Sequence, residues 1–200
     1  MRNVLVCGFL TAFAAYAGEG AMNDAERAYL LEQLEQSRAA MLASIDGLNE
    51  AQWKFKPAPN VWSVQECAEH IVLAESYIFG GAQQVLKTPA VERPAKSNPE
   101  VDRVLAARIQ DRSQKATAPE PLVPERKFAT PADAAKAFIA ARQKTIEYVK
   151  STQDDLRTHV GQGPAGPMDA YQFLLLLSAH SARHTAQIRE VEANAAYPKE

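Results

Sequence analysis

Cysteine is nearly absent, two in 200 residues, which excludes a disulfide scaffold. Charge of one sign is scarce as well. Twenty-two Lys and Arg meet 24 Asp and Glu, a formal net charge of −2 that offers no broad basic surface to a phosphate backbone. Aromatics make up 8% and nowhere alternate with basic residues, which argues against single-stranded nucleic-acid binding. No nucleic-acid partner is expected. A Ser-His-Asp order, a glycine-rich phosphate loop, a nucleotide motif and any internal repeat are all missing. What is present is 46% hydrophobic and 23% charged, the composition of a soluble globular chain with one core and too apolar to be disordered.

The first residues read MRNVLVCGFLTAFAAYA, with a basic start at Arg2 and an apolar run from Val4 to Ala14. That run of about 11 residues is too short for a membrane-spanning helix, which needs about 20. Ala15-Tyr16-Ala17 supplies a small-x-small cleavage pattern. The expectation is a signal peptide over 1–17 cleaved after Ala17, a single domain over 18–200, and a periplasmic or secreted protein with no membrane span in its mature chain. Cleavage removes Arg2 and Cys7 and leaves Cys67 alone, a thiol best tolerated buried in an oxidising compartment.

Four segments carry helical periodicity and none reads as a strand. The first spans about Asn23 to Leu48, capped by Asn23 or Asp24. The second begins at Ser63, where Ser63-Val64-Gln65-Glu66 fits a capping box, and Gly80-Gly81 should loosen its end. The third starts at Thr130-Pro131, with Ala135, Phe138, Ile139, Ile146 and Val149 as its buried stripe. The fourth should follow the Gly161–Gly166 loop, from about Pro167 to Ala193. A stretch of about 50 residues with six of the twelve prolines separates the second and third, unusually long inside a bundle. A short helix from Asn98 to about Gln110 should interrupt it, with Val101, Val104, Leu105 and Ile109 facing inward. A long crossover lets sequential helices run parallel. The expected fold is therefore all-α, a four-helix bundle of up-down-down-up topology with a short extra helix in the crossover.

His180 and His184 are four residues apart, so both imidazoles project from one helix face. They share an apolar stripe with Phe173, Leu177, Ile188 and Val191. Buried imidazole nitrogens need partners, and a metal ion shared by an i, i+4 pair is one solution. His70 lies about 10 Å from the start of its helix, and the His180/His184 midpoint about 16 Å from the end of the fourth. In antiparallel helices these heights nearly agree, whereas parallel ones put them about 12 Å out of level. Three neutral imidazoles favour Zn, Ni, Fe or Cu over Mg or Ca, and leave a coordination position open. Three histidines satisfied by hydrogen bonds alone remain the alternative.

Other residues carry a structural and a functional reading side by side. Glu66 serves as a capping residue or as a partner to His70. Gln187 reaches for a bound water or forms a rim hydrogen bond. Glu75 and Tyr77 stand at solvent-facing positions or at a site mouth. Cys67 fits a buried core thiol better than a fourth ligand, His159 sits in a polar linker and should be exposed, and Trp53 and Trp62 seal the bundle end, with Trp62 near His70.

At these residues the sequence resembles the DinB/YfiT-like superfamily. The matching pieces are Trp62-Ser63 entering a helix with His70 eight residues after the Trp, the approach from Trp53 to Ser63, and the late segment His180-Ser181-Ala182-Arg183-His184-Thr185-Ala186-Gln187-Ile188. The similarity spans residues 24–193. It implies an up-down-down-up four-helix bundle with a three-histidine metal site, whose ligands map onto His70, His180 and His184, and zinc or nickel as the metal. Similar members include thiol-dependent S-transferases and isomerases. The typical member is cytosolic, so the export signal is a departure that weakens the thiol-transferase reading. A metal-dependent hydrolase or group transferase acting on a small molecule is expected, with a non-catalytic metal-binding or interaction module as the alternative and a homodimer as a further possibility. The general base is unassigned.

Overall fold

The structure is a computed structural model that describes residues 21–92, 99–113 and 115–199. The expected signal peptide, its cleavage point and Cys7 lie outside the described residues, as does Asn98. Six α-helices follow one another among the described residues: α1 Asp24–Ile45, α2 Glu50–Lys54, α3 Val64–Val85, α4 Pro99–Gln110, α5 Pro131–Ser151 and α6 Ala170–Glu192. Each long bundle helix starts on a side chain that takes an orphan amide: Asn23, Ser63, Thr130 and Asp169. At α1, α3 and α6 the N3 residue answers reciprocally, closing a capping box. These caps set the helical register on which every later residue position depends.

Direction follows from which ends meet. One apolar cluster gathers Ile45 from the end of α1, Val64 and Cys67 from the start of α3, Ala134 and Phe138 from the start of α5, and Ile188 and Val191 from the end of α6. The helices α1 and α6 therefore run one way and α3 and α5 the other, the expected up-down-down-up order. The pair α5 and α6 both pack on α1 and on α3, and α4 lies against α6. Among the described residues no helix is long and apolar enough to cross a membrane.

Several expectations need correction. Residues 160–169 form a hairpin, not a loop: β1 Val160–Gly163 pairs antiparallel with β2 Gly166–Asp169, and Gly166 takes φ +108° in the turn. Helix α6 accordingly starts at Ala170, three residues later than Pro167, because Asp169 is its cap. Gly80-Gly81 do not loosen α3, which continues to Val85 with the Phe173 ring covering Gly81. In α4, Val101 and Val104 are 50% and 58% exposed while Asp102 and Ala106 turn inward. The reason is electrostatic: Asp102 joins Glu26 and Asp169 around the buried Arg157 guanidinium, with Oδ2 2.7 Å from one nitrogen.

A further correction concerns α5. Ile139 is exposed, and its place in the buried stripe is taken by Arg142, fully buried. Arg142 forks onto both oxygens of Glu75 at 2.6 and 2.9 Å, and reaches the Leu34 carbonyl and Ser37 of α1 and Ser181 of α6. Glu75 is thus a core residue, neither solvent-facing nor at a site mouth. Burying a charge is tolerable only when it is paired and every remaining donor is used.

Candidate metal centre

Helix α3 brings His70 to the bundle centre in a register set by its cap. The Ser63 hydroxyl accepts from the Glu66 amide at 3.1 Å, and the Glu66 carboxylate accepts from the Ser63 amide at 2.8 Å and from Lys56 at 2.8 Å. Burial raises the Glu66 pKa, but the Lys56 and Ser63 bonds outweigh it and hold the carboxyl below its ordinary range. Glu66 is a capping residue, and no bond joins it to His70. Its neighbours on α3 hold the crossover down. Gln65 donates to the Phe128 carbonyl at 2.8 Å, and the buried Glu69 carboxylate accepts from the Glu125 and Lys127 amides at 3.0 and 2.8 Å. Arg126, between those amides, takes φ +63°, a left-handed conformation that costs about 1–2 kcal/mol and brings both N–H groups to one carboxylate. The pinned crossover then offers the Leu122 carbonyl to His70 Nδ1 at 2.7 Å.

Helix α6 supplies His180 and His184 on the facing side. His70 Nε2 stands 3.2 Å from His180 Nε2 and 3.1 Å from His184 Nε2. One nitrogen from each ring lies within 4.8 Å of the others, so the structure brings together all three histidines picked out in the sequence. His184 Nδ1 donates to Gln187 Oε1 at 2.8 Å. His180 Nδ1 is buried with no partner. The Trp62 ring covers His70 and His184, with centroids 4.8 and 6.1 Å away.

The count of ring protons shows what this arrangement can hold. A neutral imidazole carries one N–H. Leu122 O accepts only, so the His70 proton is on Nδ1 and its Nε2 is bare; Gln187 Oε1 places the His184 proton likewise. Two lone pairs therefore face each other at 3.1 Å. The His180 proton can relieve at most one of these contacts. A cation relieves all of them: nitrogens about 2.0–2.1 Å from a tetrahedral ion lie about 3.3–3.4 Å apart, close to the spacings here. The donor set fits a borderline transition metal.

The electrostatics agree. Burial pushes the His180 pKa down to about 3 and that of His184 to about 2, with neighbouring imidazoles adding to both. Burial also lowers the His70 pKa, partly offset by its bond to the Leu122 carbonyl. All three rings are neutral at neutral pH, the ligating form.

The remaining sequence candidates sort clearly. Cys67 is fully buried in the apolar cluster and outside the histidine group, its thiol pKa pushed up by burial. Gln187 orients His184. Tyr77 is exposed, and Trp53 is buried with its indole N–H on the Phe128 carbonyl. His159 is a partly buried anchor, not an exposed linker residue, since its Nδ1 bonds the Thr88 carbonyl at 2.7 Å. Sequence reasoning missed two participants. The Leu122 carbonyl is main chain and carries no side-chain signal. Arg112 comes from the crossover, bonding Gln187 Oε1 at 3.3 Å and forking onto Glu190 at 2.6 and 2.7 Å. A recess of about 130 Å³ beside these residues is lined by Pro57, Val61, Arg112, Gln187, Glu190 and Val191. A larger one, about 460 Å³ between the end of α1 and the start of α5, touches none of the histidines.

A solved structure shares this arrangement of helices. YfiT from Bacillus subtilis, described as a probable metal-dependent hydrolase with an unusual four-helix bundle topology, superposes with a TM-score of 0.59 at 14% identity, over 89% of this chain and 92% of YfiT. At that identity the likeness establishes the fold. YuaE, an uncharacterised protein of Bacillus subtilis (strain 168), is 23% identical over 158 residues, 78% of this chain and 93% of YuaE. The sequence pattern of the DinB superfamily matches residues 33–188, a span that holds α3, most of α6 and all three histidines. On that match the chain belongs to the DinB superfamily.

Proposed function

We propose that this protein is a metal-dependent hydrolase or group transferase for a small molecule, with a divalent transition ion held by His70, His180 and His184. The observation that carries the reading is the 3.1 Å approach of His70 Nε2 to His184 Nε2, while the Nδ1 of each ring faces an oxygen acceptor on the far side. Zinc and nickel suit three neutral imidazoles, and iron and copper share the preference. Bound by three protein ligands with a position open, such an ion supplies Lewis acidity and a lowered pKa for water. The residues do the rest: Leu122 and Gln187 keep both protons off the central nitrogens, and Trp62 shields two of the rings from water. The described activity of YfiT favours hydrolysis over thiol transfer. The proposal includes export, carried by the pattern ending at Ala17.

Elemental analysis of untagged protein should find about one equivalent of metal per chain, and His180→Ala should lose it. Well under one equivalent in the unaltered chain removes the metal reading. The metal-loaded protein is then assayed on ester, amide and thiol-transfer substrates against His184→Ala, and turnover should appear in one class and vanish in the variant. Metal without turnover in any class leaves a binding module. N-terminal sequencing of the protein made from the full chain should begin at Gly18.

A further inference from the structure

We propose that Arg112 is a positioning residue that fixes the tautomer of His184 by holding the Gln187 amide in one of its two orientations. This rests on the metal reading of the three histidines.

A primary amide is nearly the same shape either way round, and a flip exchanges its acceptor for two donors. Within α6 alone, Gln187 satisfies His184 in both orientations. Its oxygen accepts from a protonated Nδ1, or its NH₂ donates to a bare one. The second choice moves the imidazole proton to Nε2, the atom aimed at His70 Nε2 from 3.1 Å, and removes His184 as a ligand. Nothing on α6 separates the two.

Arg112 separates them. A guanidinium only donates, and its Nη1 lies 3.3 Å from Gln187 Oε1, so a flipped Gln187 would turn N–H against N–H. The guanidinium cannot swing away freely, because Glu190 grips its other edge through Nε and Nη2 at 2.6 and 2.7 Å. The segment carrying Arg112 is itself strapped to α6, where Arg183 donates to the Ile109 and Asp111 carbonyls. The chain of bonds Glu190, Arg112, Gln187, His184 thus ends on the one proton that decides whether the ring can ligate.

The test follows the tautomer directly, by ¹⁵N-edited NMR of the imidazoles in the metal-free full chain, alongside zinc affinity from competition with a chromogenic chelator. His184 should carry its proton on Nδ1 in the unaltered protein. Arg112→Ala should show a mixture of tautomers and about 10-fold weaker zinc binding. Arg112→Lys keeps a donor and should recover most of both. The double variant Arg112→Ala/Gln187→Glu should also recover both, since a carboxylate accepts whichever way it turns. An Arg112→Ala protein with the original tautomer and affinity would overturn the proposal, and so would a double variant that stays as weak as Arg112→Ala. If the unaltered chain binds no zinc, the metal reading falls, and the tautomer shift in Arg112→Ala still decides this proposal.

Discussion

Adjacent residues of α6 belong to two polar clusters built on opposite terms. Ser181 joins the Arg142–Glu75 network, in which all five guanidinium N–H groups reach acceptors and both carboxylate oxygens are used. His180, one residue earlier, joins a group where one ring nitrogen has no partner and two bare nitrogens confront each other. Both clusters tie α3 to α6, the first fully buried and the second largely so. The first is closed and needs nothing more from outside the chain. The second keeps ring nitrogens that no group of the chain answers. Burial alone therefore does not separate architecture from chemistry in this bundle, and the tally of donors and acceptors does.

The strongest way to break the comparison is Glu75→Ala. It strands the Arg142 charge in the core and should cost about 3–5 kcal/mol in urea unfolding. A loss below about 1 kcal/mol would mean the network is not the closed unit described. Zinc gives the next largest effect. At free zinc 100-fold above its dissociation constant, the unaltered protein should gain about 2.7 kcal/mol of stability, and His180→Leu should gain none. His159→Ala, which removes the bond to Thr88 far from the three histidines in the chain, should keep the gain; losing it would misplace the ligands.

Acid sharpens the contrast with a smaller effect per residue. In the metal-free protein His180 and His184 stay neutral down to about pH 3 and 2, while the unfolded chain protonates them near the ordinary value of 6.5. The unfolded state then binds more protons, so their contribution is intact above about pH 6.5 and is lost as pH falls toward the folded values. Between pH 7 and 5 this amounts to about 2 kcal/mol for each ring, read from urea midpoints. The double variant His180→Leu/His184→Leu should lose that dependence; an unchanged acid slope would show that the folded rings take up protons freely.

The sequence announced the histidines because their signals are local. A capping box fixes the register of His70 on α3, and a four-residue interval fixes the other pair on α6. Topology was legible too, since the long crossover is visible as chain length. Arg142 was hidden because a cation in an apolar stripe reads as the edge of that stripe, and its partners lie on three other helices. Asp102 misled the facing of α4 for the same reason, its partner Arg157 being 55 residues away. The hairpin escaped notice because Gly161-Gln162-Gly163 and Gly166-Pro167 have almost no strand propensity, and pairing is imposed by the elements around them.

Arg142 also bears on how the molecule assembles. Its guanidinium is answered by α1, α3 and α6 at once, so a three-helix subset that includes α5 leaves at least one of those acceptors missing around a charge already removed from water. Partly formed bundles are penalised where a purely apolar core would tolerate them. One side chain thereby presses the four long helices toward a single cooperative folding transition, in which the three-histidine pocket arrives complete or not at all.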